Sequence, residues 1–118
     1  MAENVPALLI GNAVTIGKNH RGWFVGHFME SGPLKTDKME AKIGNHPKGT
    51  KSKHIKDRPI ATLTILISGK FQFSFPDGSV HFLEKPFDFI FVDPGQQNSW
   101  EALEDSVTIT IRTPSIPE

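Results

Sequence analysis

The sequence predicts an all-β domain, a barrel or sandwich of short strands, and three features carry that expectation. Apolar and polar residues alternate in several short runs. Turn formers recur at close intervals, with nine Pro and ten Gly in 118 residues. Helical periodicity is scarce. At this length one domain with a real core is expected.

The elements follow in order. The opening run "VPALLI" fits either an N-terminal strand docking across a dimer or a short helical turn, and "GWFVGHF" (22–28) reads as a strand. "MEAKI" (39–43) alternates, with Met39, Ala41 and Ile43 opposite Glu40 and Lys42. From His46 to about Pro59 the chain reads as its longest loop, a kind of segment that is often functional. "TLTILISG" (62–69) is β-branched and closes on Gly69. "KFQFSF" (70–75) sets Phe71, Phe73 and Phe75 against Gln72 and Ser74. "PDG" (76–78) is a hairpin turn leading into "SVHFLE" (79–84). "KPFD" (85–88) turns into the strand "FIFV" (89–92), and "DPG" (93–95) turns again. "SVTITIR" (106–112) sets Val107, Ile109 and Ile111 against Thr108, Thr110 and Arg112, and the prolines of "TPSIPE" discourage further pairing. The expected layout is an N-terminal extension over 1–38, a β core over 39–112 and a tail over 113–118.

Composition excludes several function classes. No cysteine means no disulfide, thiolate nucleophile or Cys-ligated metal, which fits a cytoplasmic protein. The N-terminus has an early acid and no basic region, unlike a signal peptide, and no run approaches the ~18 apolar residues of a spanning helix. Net charge is zero but uneven: residues 1–60 hold ten Lys/Arg and five Asp/Glu, residues 61–118 three and eight. The basic run "HPKGTKSKHIKDR" (46–58) lacks interleaved aromatics, so a solvated or anion-binding loop is expected and nucleic-acid binding is not. There is no Gly-rich phosphate loop, nucleophile elbow or H-E-x-x-H.

The stretch "ILISGKFQFSFPDG" followed by "LEKPFDFIFVDPGQQNSWEALEDSV" resembles a cupin, the double-stranded β-helix or jelly-roll family, also called RmlC-like. The resemblance spans about residues 39–112. It implies two motifs, G-x5-H-x-H-x3,4-E-x6-G and G-x5-P-x-G-x2-H-x3-N, whose three histidines and glutamate hold one metal inside the barrel. Gly69 matches the close of the first motif, which sets Thr62 at the glutamate position. With Gly49 as the opening glycine and the spacing adjusted, His54 and Lys56 fall near the two histidines. In the second motif Phe87, Asp93 and Ala102 replace the glycine, proline and asparagine, Gly95 is kept, and Asn98 stands at the histidine position.

A hydroxyl, an ammonium and a neutral amide are poor donors for a transition ion. No metal cofactor is therefore expected, and the barrel is expected to bind a small polar or anionic molecule. The candidate ligand-binding residues are Asn98, His54, Lys56, Glu40, Lys42 and Trp100, with Gln96, Gln97 and Trp23 as further possibilities. One alternative is a metal-dependent enzyme, an isomerase or dioxygenase, holding a divalent ion through His46, His54, His81 and Glu40. Another is a protein-interaction module, and whether any reaction is catalysed stays open. Taken singly, His46 and His81 read as solvent-facing, and His20 and His27 as structural, or else as lining the pocket or a subunit contact. Leu63, Ile65 and Ile67 oppose Leu66, and Phe89 and Phe91 oppose Ile90 and Val92. Apolar residues on both strand faces need cover beyond one barrel interior, so a homodimer is expected.

Overall fold

Alternation in the sequence becomes, among the described residues, eight strands in two facing sheets. The structure is a computed structural model and describes residues 8–52 and 59–117. The strands are β1 Trp23–Val25, β2 Glu40–His46, β3 Ala61–Ser68, β4 Phe71–Ser74, β5 Val80–Leu83, β6 Phe89–Val92, β7 Ser99–Ala102 and β8 Ser106–Thr113. Five form one antiparallel sheet in the order β1-β2-β8-β3-β6, and three form the other in the order β5-β4-β7. All-β architecture and each strand expected from alternation are present. Strand β7 is an addition, because "SWEA" carries neither β-branched residues nor clean alternation. A short helix, α1 Ala13–Gly17, is a second addition, capped by Asn12 Oδ1, which accepts the Val14 and Thr15 N–H groups.

The turns form where Pro, Asp and Gly were read as turn formers. Gly78 N–H donates to Phe75 O, Asp77 Oδ1 accepts the Ser79 N–H, and Asp88 N–H donates to Lys85 O. Among the described residues no helix is long and apolar enough to cross a membrane.

Pairing register decides which side chains share a face. Glu40, Lys42, Gly44 and His46 of β2 stand opposite Arg112, Thr110, Thr108 and Ser106 of β8. Thr62, Thr64 and Leu66 of β3 stand opposite Arg112, Thr110 and Thr108 from the other side. This row faces the small sheet: Leu66 packs with Phe71, Phe73, Leu83 and Ala102 in the core, and the His46 ring meets Phe71 and Trp100. The opposite face carries Ile43, Leu63, Ile65, Ile109 and Ile111, all half-buried, with Phe89 and Phe91 at 64% and 54% exposure. The large sheet thus turns its polar row inward and its apolar row outward.

Candidate functional site

The inner row of the large sheet has two ends with different neighbours. At the His46–Ser106 end it is covered by the small sheet. At the Glu40–Arg112 end a cavity of about 380 Å³ opens, and no residue of the small sheet lines it. Its walls are Trp23 of β1, Glu40 of β2 and Arg112 of β8. A 3-10 turn, Lys18–His20, and the residue after it supply Asn19, His20 and Arg21. His27, Phe28 and the tail residue Ile116 complete the lining.

Local backbone chemistry builds this wall. Arg21 takes φ 55°, a left-handed conformation uncommon for a side-chain-bearing residue, and Gly22 follows at φ 94°. A Cβ on Gly22 would lie 2.6 Å from Ile43 O, so only glycine fits as the chain swings from the turn into β1. Gly22 O accepts the Ile43 N–H, fixing the turn against β2. Arg21 is thereby held at the cavity while remaining exposed.

Glu40 is 5% exposed and fully engaged. Its Oε2 accepts the Ser115 hydroxyl at 2.9 Å, and its Oε1 lies 3.6 Å from Arg112 Nη1. His27 Nδ1 is 2.6 Å from Ser115 Oγ and 3.9 Å from Glu40 Oε2. Trp23 carries two cations at its ring: Lys42 Nζ 5.1 Å and Arg112 Cζ 4.9 Å from the centroid. Burial pushes the Lys42 ammonium below its usual pKa, and the nearby charges of Arg112 and Arg21 push it the same way.

The residues singled out in the sequence separate into distinct places. Glu40 lies in the cavity wall, with Lys42 beside it over Trp23. His54 and Lys56 lie outside the described residues. Asn98 is half-buried in the segment before β7 and donates through Nδ2 to Gln96 O at 3.4 Å; it is not among the cavity's lining residues. Gln96 closes its own turn, its Oε1 accepting the Asp93 N–H, and Gln97 is exposed. Trp100 stacks on Phe71 with centroids 5.1 Å apart, so it packs between the sheets and it is Trp23 that walls the cavity.

His46 requires a correction. It was expected at the surface, yet it is half-buried between Phe71 and Trp100, with Nε2 3.2 Å from Thr108 Oγ1. A side chain on Gly44 would run into this ring, so the glycine makes room for it. Burial lowers the His46 pKa, and the Lys42 charge adds to the shift. His81 is exposed and edge-on to Phe75, as the sequence suggested.

The alternative metal set does not assemble among the described residues. Glu40 and His46 stand six residues apart on one strand, about 20 Å by strand rise. No group of three or more His, Cys, Asp or Glu able to hold a metal occurs among the described residues. At the family's metal positions, Thr62 stands in register with Arg112 and Val92. A hydroxyl beside a guanidinium does not fit a divalent cation, and the amide of Asn98 is no better a transition-metal donor.

Arg21, Arg112 and Ser115 join the site without having been chosen for it, and His20 and His27, read as structural or pocket-lining, line the cavity. The two histidines were visible as types flanking "RGWFVG". The union of His27 with Ser115, 88 positions later, left no local signal in the sequence.

Comparison with solved structures identifies the architecture. The chain superposes on KdgF from Halomonas sp. with TM-score 0.61 and 20% identity, over 69% of this chain and 73% of that one. It superposes on an RmlC-like cupin from Desulfovibrio desulfuricans with TM-score 0.59 and 11% identity, over 69% and 76%. A cupin 2 conserved barrel domain protein from Salinispora arenicola gives TM-score 0.60 and 15% identity, over 73% and 71%.

The fold is that of the cupin superfamily.

No protein-family description and no curated protein sequence matches the chain. At these identities the likeness fixes the cupin architecture, and chemistry has to be argued from the cavity itself.

Proposed function

We propose that this cupin-fold chain binds a small anionic molecule in the cavity beside β1, β2 and β8, through cations instead of a transition metal. The observation that supports this reading most is the gathering of cations at the cavity: Arg21 and Arg112 line it, and Lys42 stands beside it over the Trp23 ring that Arg112 shares. The Lys42 ammonium is disfavoured first by burial and then by the charges of Arg112 and Arg21. Among the described residues the one acid lining the cavity is Glu40, already engaged by Ser115 and Arg112. A bound anion relieves this repulsion, which is a driving force for uptake in a half-enclosed site. The volume of about 380 Å³ suits a small metabolite.

A thermal-shift panel of carboxylates, sugar phosphates and inorganic phosphate at low salt tests the reading. Binding to the folded state raises the midpoint by mass action. Loss of the Arg21 charge in Arg21→Ala is expected to weaken binding about tenfold, as for a charge-assisted contact. A panel that never moves the midpoint overturns the proposal.

The same reading includes a homodimer formed through the outer face of the large sheet. Phe89, Phe91, Ile109 and Ile111 lie on that face, and apolar area of this kind is stabilised by a partner surface. Sedimentation at micromolar concentration giving a monomer contradicts this part.

A further inference from the structure

One buried hydroxyl restricts what the cavity can accept. Ser115 is 1% exposed. Its Oγ accepts the His27 backbone N–H at 2.9 Å, lies 2.6 Å from His27 Nδ1, and donates to Glu40 Oε2 at 2.9 Å. A hydroxyl has a single proton to give. The Glu40 carboxylate, beside Arg112, can only accept, so the Ser115 proton points to Glu40. The contact with Nδ1 then takes its proton from the ring. A neutral imidazole carries one N–H, so that proton sits on Nδ1 and Nε2 keeps a lone pair.

The other ring nitrogen, Nε2, is not buried. Among the described residues nothing hydrogen-bonds His27 Nε2, and no buried side-chain nitrogen or oxygen lacks a partner. An unpartnered Nε2 is therefore an accessible one, on a ring that lines the cavity. The lining of the cavity thus includes cationic donors and an acceptor whose identity Ser115 fixes. A ligand bearing only a carboxylate leaves that acceptor unpaired, at a cost in affinity.

We infer that the cavity selects anions with a hydroxyl next to the charged group, that is, 2-hydroxy acids or sugar acids. The ligand hydroxyl donates to His27 Nε2 while Arg21 takes the carboxylate. Ser115 is a positioning residue that sets which ring nitrogen accepts. The inference rests on the anion-binding reading of the same cavity and names its ligand class.

Calorimetric titration of the full chain at about pH 8, where free imidazole is neutral, tests it with matched pairs. Lactate is compared with propionate, malate with succinate, and inorganic phosphate is included. Each hydroxy acid is expected to bind about tenfold tighter than its partner, the scale of an acceptor satisfied against one left unpaired. The preference is expected to vanish in His27→Phe. Equal affinities within both pairs overturn the inference and leave anion binding standing. Phosphate binding with all four acids inert overturns it alone, whereas five inert compounds overturn the anion reading as well. Nitrogen-15 NMR of the imidazoles tests the tautomer without ligand or mutation. The proton is expected on Nδ1 of His27, moving toward Nε2 in Ser115→Ala, and a wild-type proton on Nε2 overturns the assignment.

Discussion

On β4 the inward side chains are Phe71 and Phe73, and the outward ones are Gln72 and Ser74. On β8 the inward ones are Thr108, Thr110 and Arg112, and the outward ones are Val107, Ile109 and Ile111. Both strands alternate cleanly, with opposite sign. The small sheet follows the usual half-buried pattern and builds the core. The large sheet buries Thr108 to 1% exposure while leaving Phe89 at 64%. Such an arrangement persists when hydrogen bonds satisfy the inner row and something useful occupies each face. Inside there is a polar cavity, and outside lies the apolar face proposed above to meet a second copy.

Substitutions on the two sheets should separate accordingly. Phe71→Ala, in the small sheet's buried row, is expected to cost about 3–5 kcal/mol in urea unfolding, the range for a large aromatic removed from a core. A loss below about 1 kcal/mol would mean the sheets are not packed as described. Thr108→Val keeps the shape but leaves His46 Nε2 without its neighbour, and is expected to cost about 1–3 kcal/mol. Adding His46→Phe should recover part of that loss, since removing both polar partners avoids the unpaired group.

The same pair gives a pH dependence. The folded His46 pKa lies below its unfolded value, by burial and then by Lys42. The unfolded chain therefore binds this proton more readily. The stability linked to neutral His46 is complete above about pH 6.5, the unfolded value, and falls as pH drops through it toward the folded value. Equilibrium unfolding from about pH 8 to 5 should show this decline, and His46→Gln should flatten it. A rise in stability on acidification through this window, absent in the variant, would contradict the assignment.

On the outer face the effect on the protomer should be smallest. Phe91→Glu is expected to change protomer stability by no more than about 0.5 kcal/mol, as at other exposed positions. It should also shift sedimentation from dimer to monomer. A variant that stays dimeric places the interface elsewhere.

Much of this contrast was legible in the sequence, and its sign was the harder part. Alternation in "KFQFSF" and "SVTITIR" marks strands whichever face is buried. Apolar residues on both faces of "TILI" and "FIFV" signalled that one barrel interior was insufficient, and Glu40 and Lys42 were already candidates for the pocket. The cavity's other members depend on contacts that sequence spacing does not encode. Ser115 reaches Glu40 across 75 positions, and Arg112 looks like the last residue of a solvated row until register sets it beside Glu40 and Thr62. Asn98 drew notice through a motif whose histidine this chain has not kept. Its amide turns to Gln96 O while the cavity forms at the Glu40–Arg112 end of the large sheet.

The inward polar row and outward apolar row of the large sheet can be tested at two adjacent positions, because the chain has no cysteine of its own. Ile109→Cys and Thr110→Cys proteins would be treated with a thiol reagent over a dilution series. The account predicts that the thiol at 109 reacts faster as dilution separates the protomers, while the thiol at 110 reacts slowly at every concentration. Rapid labelling at 110, or protection of 109 at all dilutions, would contradict it.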